Sequence, residues 1–151
     1  MRFNLTFIVV FFLLSSCSPD YIDWPVYLGS KEGTQFSTAS LITKENVKDL
    51  KVAWEYSSGD AHPKNRSQIQ CNPLIVDGVL YGSTASLKFF ALDARSGKQL
   101  WKFDPYQGGF TEYGMGFNRG LAFYSGDDQR LFLSTGSNLF CLDASSGKPI
   151  P

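Results

Sequence analysis

The chain has 151 residues with fourteen acidic and fourteen Lys or Arg side chains, so its formal charge is zero. That balance excludes the basic surface a nucleic-acid partner demands, and a hydrophobic content of 43% excludes a disordered chain. Fourteen glycines and many Phe and Tyr, with Asp-Gly and Ser-Gly punctuation, favour short strands and tight turns over long helices, so the class is all-β.

Residues 1–17 read as a leader. Arg2 gives a weakly positive start and Phe7 to Leu14 is an unbroken apolar run. A membrane span needs about 20 residues, whereas a run this short suits the central region of a signal peptide. Leu14-Ser15-Ser16-Cys17 resembles the bacterial lipobox, whose cysteine is acylated once the leader is cut away. The resemblance implies lipidation at Cys17, a membrane anchor and an envelope location facing the periplasm. Ser18 in place of Asp leans toward the outer membrane. The alternative is an ordinary signal peptide with an incidental cysteine. Residues 18–23 read as a polar tether and 24–151 as the folded part.

Trp24-Pro25-Val26-Tyr27-Leu28-Gly29 opens that part. Leu41, Ile42, Val47 and Leu50, with Thr43 as N-cap, predict one short helical turn. Lys51 to Tyr56 predicts a strand with Val52, Trp54 and Tyr56 on one face. Residues 57–67 read as a loop; His62, the one histidine in the chain, has no second ligand or nucleophile beside it and is assigned no role.

Residues 73–103 predict a four-stranded unit. Pro73 to Val76 and Val79 to Ser83 flank Asp77-Gly78, which supplies the positive φ angles of a two-residue hairpin. Leu87 to Leu92 and Lys98 to Phe103 flank the turn from Asp93 to Gly97. Asp104 to Phe117 is an aromatic, glycine-rich insertion long enough to be functional. A second, incomplete unit occupies 119–151: Gly120 to Ser125, Arg130 to Thr135 and Leu139 to Leu142 are its strands, and the fourth would run from Lys148.

The two units share one text. Ala91-Leu92-Asp93-Ala94-Arg95-Ser96-Gly97-Lys98 returns fifty residues later as Cys141-Leu142-Asp143-Ala144-Ser145-Ser146-Gly147-Lys148. Repetition at this period marks propeller blades or other stacked arrays. Such stacks usually need at least three units to bury their faces, so the chain reads as a fragment, inactive alone. For Cys71 and Cys141, export opens a disulfide; the other reading makes Cys141, in the place of Ala91, a small buried side chain. No CxxC or CxxCH spacing is present, so no haem of its own is expected.

Ala91-x-Asp93-x-x-x-Gly97-x-x-x-Trp101 resembles the tryptophan-docking motif of the eight-bladed quinoprotein propellers, in which each tryptophan packs on the next blade's motif. The indole brings a large apolar face and one N–H handle, and Gly97 permits the left-handed turn beneath it. Three further stretches resemble dehydrogenases that use pyrroloquinoline quinone, PQQ. They are Trp24-x-x-Tyr27-x-Gly29 with Asn46 to Gly59, Gln70 to Tyr81, and Asn118-Arg119-Gly120-Leu121-Ala122-Phe123-Tyr124. The likeness is closest to the glucose dehydrogenase-like branch, and it implies a partial propeller of about two blades.

By this resemblance Arg119 aligns with the family's PQQ-binding arginine. PQQ is a tricarboxylate o-quinone, which a guanidinium can pair with and stabilise. Gln70 falls where methanol-type relatives carry a glutamate against the cofactor; an amide still hydrogen-bonds but bears no charge. The vicinal cysteine pair of the methanol type is absent from Glu112 to Phe117. No catalytic residue is assigned here, because the family's Ca²⁺ ligands and general base belong to later blades, beyond Pro151. The implied activity is oxidation of a sugar or alcohol, with a quinone or cytochrome as electron acceptor. The rival reading is a non-catalytic outer-membrane lipoprotein propeller that serves as a scaffold.

Overall fold

The computed structural model describes residues 22–61, 67–107 and 117–151. Cys17 and the rest of the leader, the tether up to residue 21, His62 and residues 108–116 of the insertion lie outside the described residues. Among the described residues the regular elements are a single 3-10 turn, Val47–Asp49, and seven strands. They are β1 (Leu74–Val76), β2 (Val79–Ser83), β3 (Phe89–Asp93), β4 (Gln99–Phe103), β5 (Ala122–Ser125), β6 (Gln129–Thr135) and β7 (Asn138–Asp143).

The strands form two antiparallel sheets, β1-β2-β3-β4 and β5-β6-β7, each in chain order. Short local connections dictate this meander. Asp77 and Gly78 take φ of 49° and 76°, the pair of left-handed conformations that turns β1 directly into β2. Val76 then pairs with Val79 and Leu74 with Tyr81. Between β2 and β3, Thr84 and Lys88 close a tight loop, with the Thr84 N–H on the Lys88 carbonyl at 2.8 Å and Leu87 at a φ of 61°. That loop consumes Leu87 and Lys88, so β3 begins at Phe89 rather than at Leu87. Pro73 likewise lies outside β1, since it has no N–H to give the ladder.

The core lies between the sheets. Alternation sends Tyr81, Phe89, Ala91 and Trp101 from the first sheet to meet Leu121, Leu131, Leu133, Leu142 and Ala144 from the second. Phe89, Ala91, Leu131 and Leu142 lose all their exposure, and each large side chain among them contributes on the order of 1.5–3 kcal/mol. Tyr81 bridges the seam with tilted ring contacts to Trp101 at 6.0 Å and Phe123 at 5.7 Å. Burial first, then Asp77 and Asp143, push its phenol pKa up to about 12, so it stays neutral.

Three local expectations need correction. The helical turn is one 3-10 turn whose N-terminal boundary residue is Asn46 rather than Thr43, and Asn46 makes no side-chain cap bond to it. Thr43 instead starts the preceding turn: its Oγ1 accepts the Glu45 and Asn46 N–H groups, and Asn46 Oδ1 accepts the Thr43 N–H at 2.7 Å. Residues 51–56 belong to neither sheet, and Val52 is 75% exposed while Trp54 and Tyr56 are half-buried. No described strand lies alongside to complete a ladder; the two aromatic side chains hold the stretch instead. Cys141 is half-buried, unlike its repeat partner Ala91, because its side of the second sheet has no described neighbour to cover it. Both Cys71 and Cys141 are free thiols.

Candidate functional site

Identical text gives identical turns. In the first copy Asp93 Oδ1 accepts the Ser96 N–H at 2.7 Å and the Ser96 hydroxyl at 2.6 Å, and the Gly97 N–H meets the Asp93 carbonyl at 2.8 Å. In the second, Asp143 Oδ1 accepts the Ser146 N–H at 2.8 Å and the hydroxyls of Ser145 and Ser146. The hydrogen bonds from Ser96, and from Ser146 and Ser145, hold both carboxyls below the usual carboxylate range. The turns therefore keep their charge and shape at neutral pH.

Each turn receives an indole. Trp101 Nε1 donates to the Ala144 carbonyl at 2.9 Å, and a Cβ on Gly147 would sit 2.5 Å from the Trp101 ring. Gly97 and Gly147 take φ of 70° and 68°, where an L side chain would be strained in any case. The first turn is occupied in the same way, by a residue that the sequence placed on a strand face but did not mark for docking. Trp54 Nε1 donates to the Ala94 carbonyl at 3.1 Å, and a Cβ on Gly97 would lie 2.5 Å from its ring. Trp54 was findable: Ala53-Trp54 stands about one repeat length before Trp101. The missing turn upstream of Trp54 hid it. Tyr56 reinforces the docking, its hydroxyl on Gln99 Oε1 at 2.8 Å and its ring 4.9 Å from Phe90.

A second cluster anchors the loop after Tyr56. Asp60 is 8% exposed and accepts the hydroxyls of Ser58, Thr84 and Ser86. Burial pushes its carboxyl pKa up, but the hydrogen bonds from Ser58, Ser86 and Thr84 together outweigh it and hold the group below its ordinary value. The folded pKa is thus depressed. Its stabilising contribution is complete above the unfolded value of about 3.9 and disappears as pH falls through the folded pKa. Protection of the residue 57–61 amides against exchange, relative to the unfolded chain at the same pH, is therefore expected to fall in acid below about pH 4. Asp60→Asn is expected to remove that acid step; an unchanged step in the variant would contradict the assignment.

Arg119 stands just before β5 with its backbone fixed and its side chain exposed. Asn118, 6% exposed, donates from Nδ2 to the Ser134 carbonyl at 2.9 Å and accepts the Gly120 N–H on Oδ1 at 3.1 Å. The ion pairs among the described residues are Lys88–Asp104 and Arg130–Asp128, and Arg119 is in neither. Gln70 is half-buried, two residues ahead of Asn72, whose main-chain and side-chain nitrogens both reach the Arg119 carbonyl. The stretches that carry Gln70 and Arg119 are thereby brought together. Both residues offer hydrogen-bond donors, and Arg119 adds a positive charge that no carboxylate among the described residues pairs with, a donor set that fits an anionic quinone. An apolar cavity of about 260 Å³, lined by Trp54, Tyr56, Cys71, Leu80, Phe90 and Leu92, lies on the face of the first sheet turned away from the second. Among the described residues no group of His, Cys, Asp and Glu could hold a metal ion, and no helix is long and apolar enough to cross a membrane.

A four-stranded and a three-stranded meander, clipped together by the Trp101 indole on an Asp-Ser-Gly turn, define a partial β-propeller of the tryptophan-docked kind. Residues 24–151 match the family described as "PQQ: Glucose/ethanol/alcohol dehydrogenase, beta-propeller domain", and the chain belongs to that family. It is 42% identical over 86 residues to the quinoprotein glucose dehydrogenase of Escherichia coli (strain K12), covering 55% of this chain and 11% of that protein. It is 38% identical over 130 residues to the dehydrogenase subunit of the alcohol dehydrogenase (quinone) of Gluconobacter oxydans (strain 621H), covering 83% of this chain and 16% of the relative. The quinohemoprotein alcohol dehydrogenase of Comamonas testosteroni superposes with a TM-score of 0.69 at 29% identity, over 85% of this chain and 19% of that one. The chain thus spans less than a fifth of each of these relatives.

Proposed function

We propose that the chain forms two adjoining blades of a PQQ-dependent dehydrogenase that oxidises a sugar or an alcohol, with Arg119 and Gln70 among the residues that hold the cofactor. The observation that carries this reading is Arg119 itself: a guanidinium outside both described ion pairs, on a backbone fixed by Asn118, in a family whose cofactor is an acidic quinone. When bound, PQQ supplies the hydride acceptor for the alcohol carbon. Arg119 would pair with its oxygens and favour the negative charge that reduction puts there. Gln70 would add a neutral donor and so orient the ring without altering its charge.

The electron acceptor is a quinone or a cytochrome, in keeping with relatives named alcohol dehydrogenase (quinone) and 1-butanol dehydrogenase (cytochrome c). Ca²⁺ would bind through groups outside this chain. The mature protein would be held to the periplasmic side of the envelope, in the outer membrane, by a lipid on Cys17, which mass spectrometry of its N-terminus reads out. Family membership favours a dehydrogenase over the scaffold reading.

The deciding experiment titrates PQQ into the complete protein that carries this chain. Arg119→Ala is expected to weaken binding roughly tenfold to a hundredfold, the range for losing charged hydrogen bonds. Arg119→Lys is expected to fall between, since an ammonium keeps the charge and loses the planar fork. Affinity unchanged in Arg119→Ala would overturn the reading.

A further inference from the structure

We infer that Asn72 is the positioning residue for Arg119, fixing the point from which the guanidinium reaches its anionic ligand; the inference rests on the PQQ reading above. Asn72 places both of its nitrogen donors on one oxygen. Its main-chain N–H meets the Arg119 carbonyl at 3.2 Å and its side-chain Nδ2 meets the same carbonyl at 2.6 Å. A carbonyl has two lone pairs, and this one spends both on a single residue forty-seven positions away.

The local sequence prepares Asn72 for this. Pro73 follows it directly, and a residue before proline is confined to the extended region, which fixes the direction of its N–H. Trp24 bonds in both directions with Ile75, its N–H on the Ile75 carbonyl at 2.8 Å and the Ile75 N–H on its own carbonyl at 3.0 Å. The segment that presents Asn72 is therefore anchored just downstream. On the other side, Asn118 ties the residue before Arg119 to Ser134 in β6 and caps the Gly120 N–H. The peptide of Arg119 is thus gripped from the lead of the first sheet and from the body of the second, while its side chain remains exposed.

That division of labour suits a cation that must meet a ligand arriving from outside. Fixing the backbone lowers the ordering cost at the moment of binding, and a positioning contact of this kind acts on affinity without touching the ligand. The clasp also couples Gln70, two residues before Asn72, to Arg119, so the two donors share one frame across the blade boundary. No other uncharged side chain of this length presents an N–H₂ here while keeping a carbonyl for solvent. Aspartate would have the same shape and the opposite polarity, setting an acceptor against an acceptor.

The test is a double-mutant cycle in the complete protein that carries this chain, with PQQ affinity read by quenching of tryptophan fluorescence and folding read by circular dichroism. Asn72→Ala is expected to weaken PQQ binding about five- to tenfold, and Asn72→Asp by more, with the fold retained. In an Arg119→Ala background the same two changes are expected to alter affinity less than about twofold, because the residue they act through is gone. Asn72→Ser, which offers a hydroxyl donor in place of the lost side-chain amide, is expected to recover part of the loss and serves where Asn72→Ala does not fold. Full additivity in the Arg119→Ala background, or no loss with Arg119 present, would overturn the positioning role and leave the cofactor reading standing. An Arg119→Ala protein that binds PQQ as well as the parent would instead overturn the cofactor reading itself.

Discussion

Trp101→Ala is expected to destabilise the protein by about 3–5 kcal/mol, the cost of emptying a buried indole site. Trp101 is 9% exposed, packs at the seam against Tyr81 and donates to the Ala144 carbonyl. The truncation removes apolar contact on both sheets and leaves that carbonyl without its donor. Trp101→Phe separates the two effects: it keeps most of the ring and deletes the N–H, and it should cost about 1–3 kcal/mol, the penalty of an unpaired buried acceptor. Urea denaturation monitored by far-UV circular dichroism measures both. A loss below about 1 kcal/mol for the alanine variant would show that the indole is not what clips the sheets.

Gly147→Ala is expected to cost about 2–4 kcal/mol by a different mechanism, a methyl group forced into occupied space at a left-handed backbone position. At a φ of 68° the residue already disfavours any side chain, and the new Cβ would meet the Trp101 ring at 2.5 Å. The backbone lies against a rigid ring, so relief requires the indole to back away from Ala144. Gly59 is the internal control, since it also has a positive φ, 71°, but nothing within 4 Å of an added Cβ. Gly59→Ala should therefore show the backbone cost alone, about 1–2 kcal/mol. Equal losses at the two positions would contradict the close-packing account.

What the sequence disclosed, and what it hid, follows from how far each interaction reaches along the chain. The hairpin at Asp77-Gly78 and the paired turns at Asp93 and Asp143 were legible because their chemistry closes within a few residues. Strand order followed, since short turns force neighbours to pair. Thr43 does bond the N–H groups that follow it, but in a turn shared with Asn46 that precedes the 3-10 segment, a boundary shift that residue type alone does not fix. The strand expected at residues 51–56 failed for a longer-range reason: alternation predicts a face, but a ladder needs a partner strand. The part played there by Trp54 depends on Ala94, forty residues on.

The candidate site divides the same way. Arg119 and Gln70 were named through family likeness, because no local pattern marks an arginine as a cofactor ligand. Asn118 looked like part of a motif and proves to be a buried brace between Gly120 and Ser134. Asn72 gave no sequence signal of its own, since its significance lies in one carbonyl oxygen that the fold carries to it. The buried carboxylate of Asp60 was equally silent, read as one more polar residue of a loop.

The central claim is that this pair of clipped sheets presents residue 119 to a bound quinone, and the most direct measurement is an experimental structure of the complete protein with PQQ. The account predicts a guanidinium nitrogen of Arg119 within about 2.7–3.2 Å of a cofactor oxygen, with the Asn72 donors still on the Arg119 carbonyl. A cofactor bound elsewhere, with the Arg119 side chain directed into solvent, would contradict it.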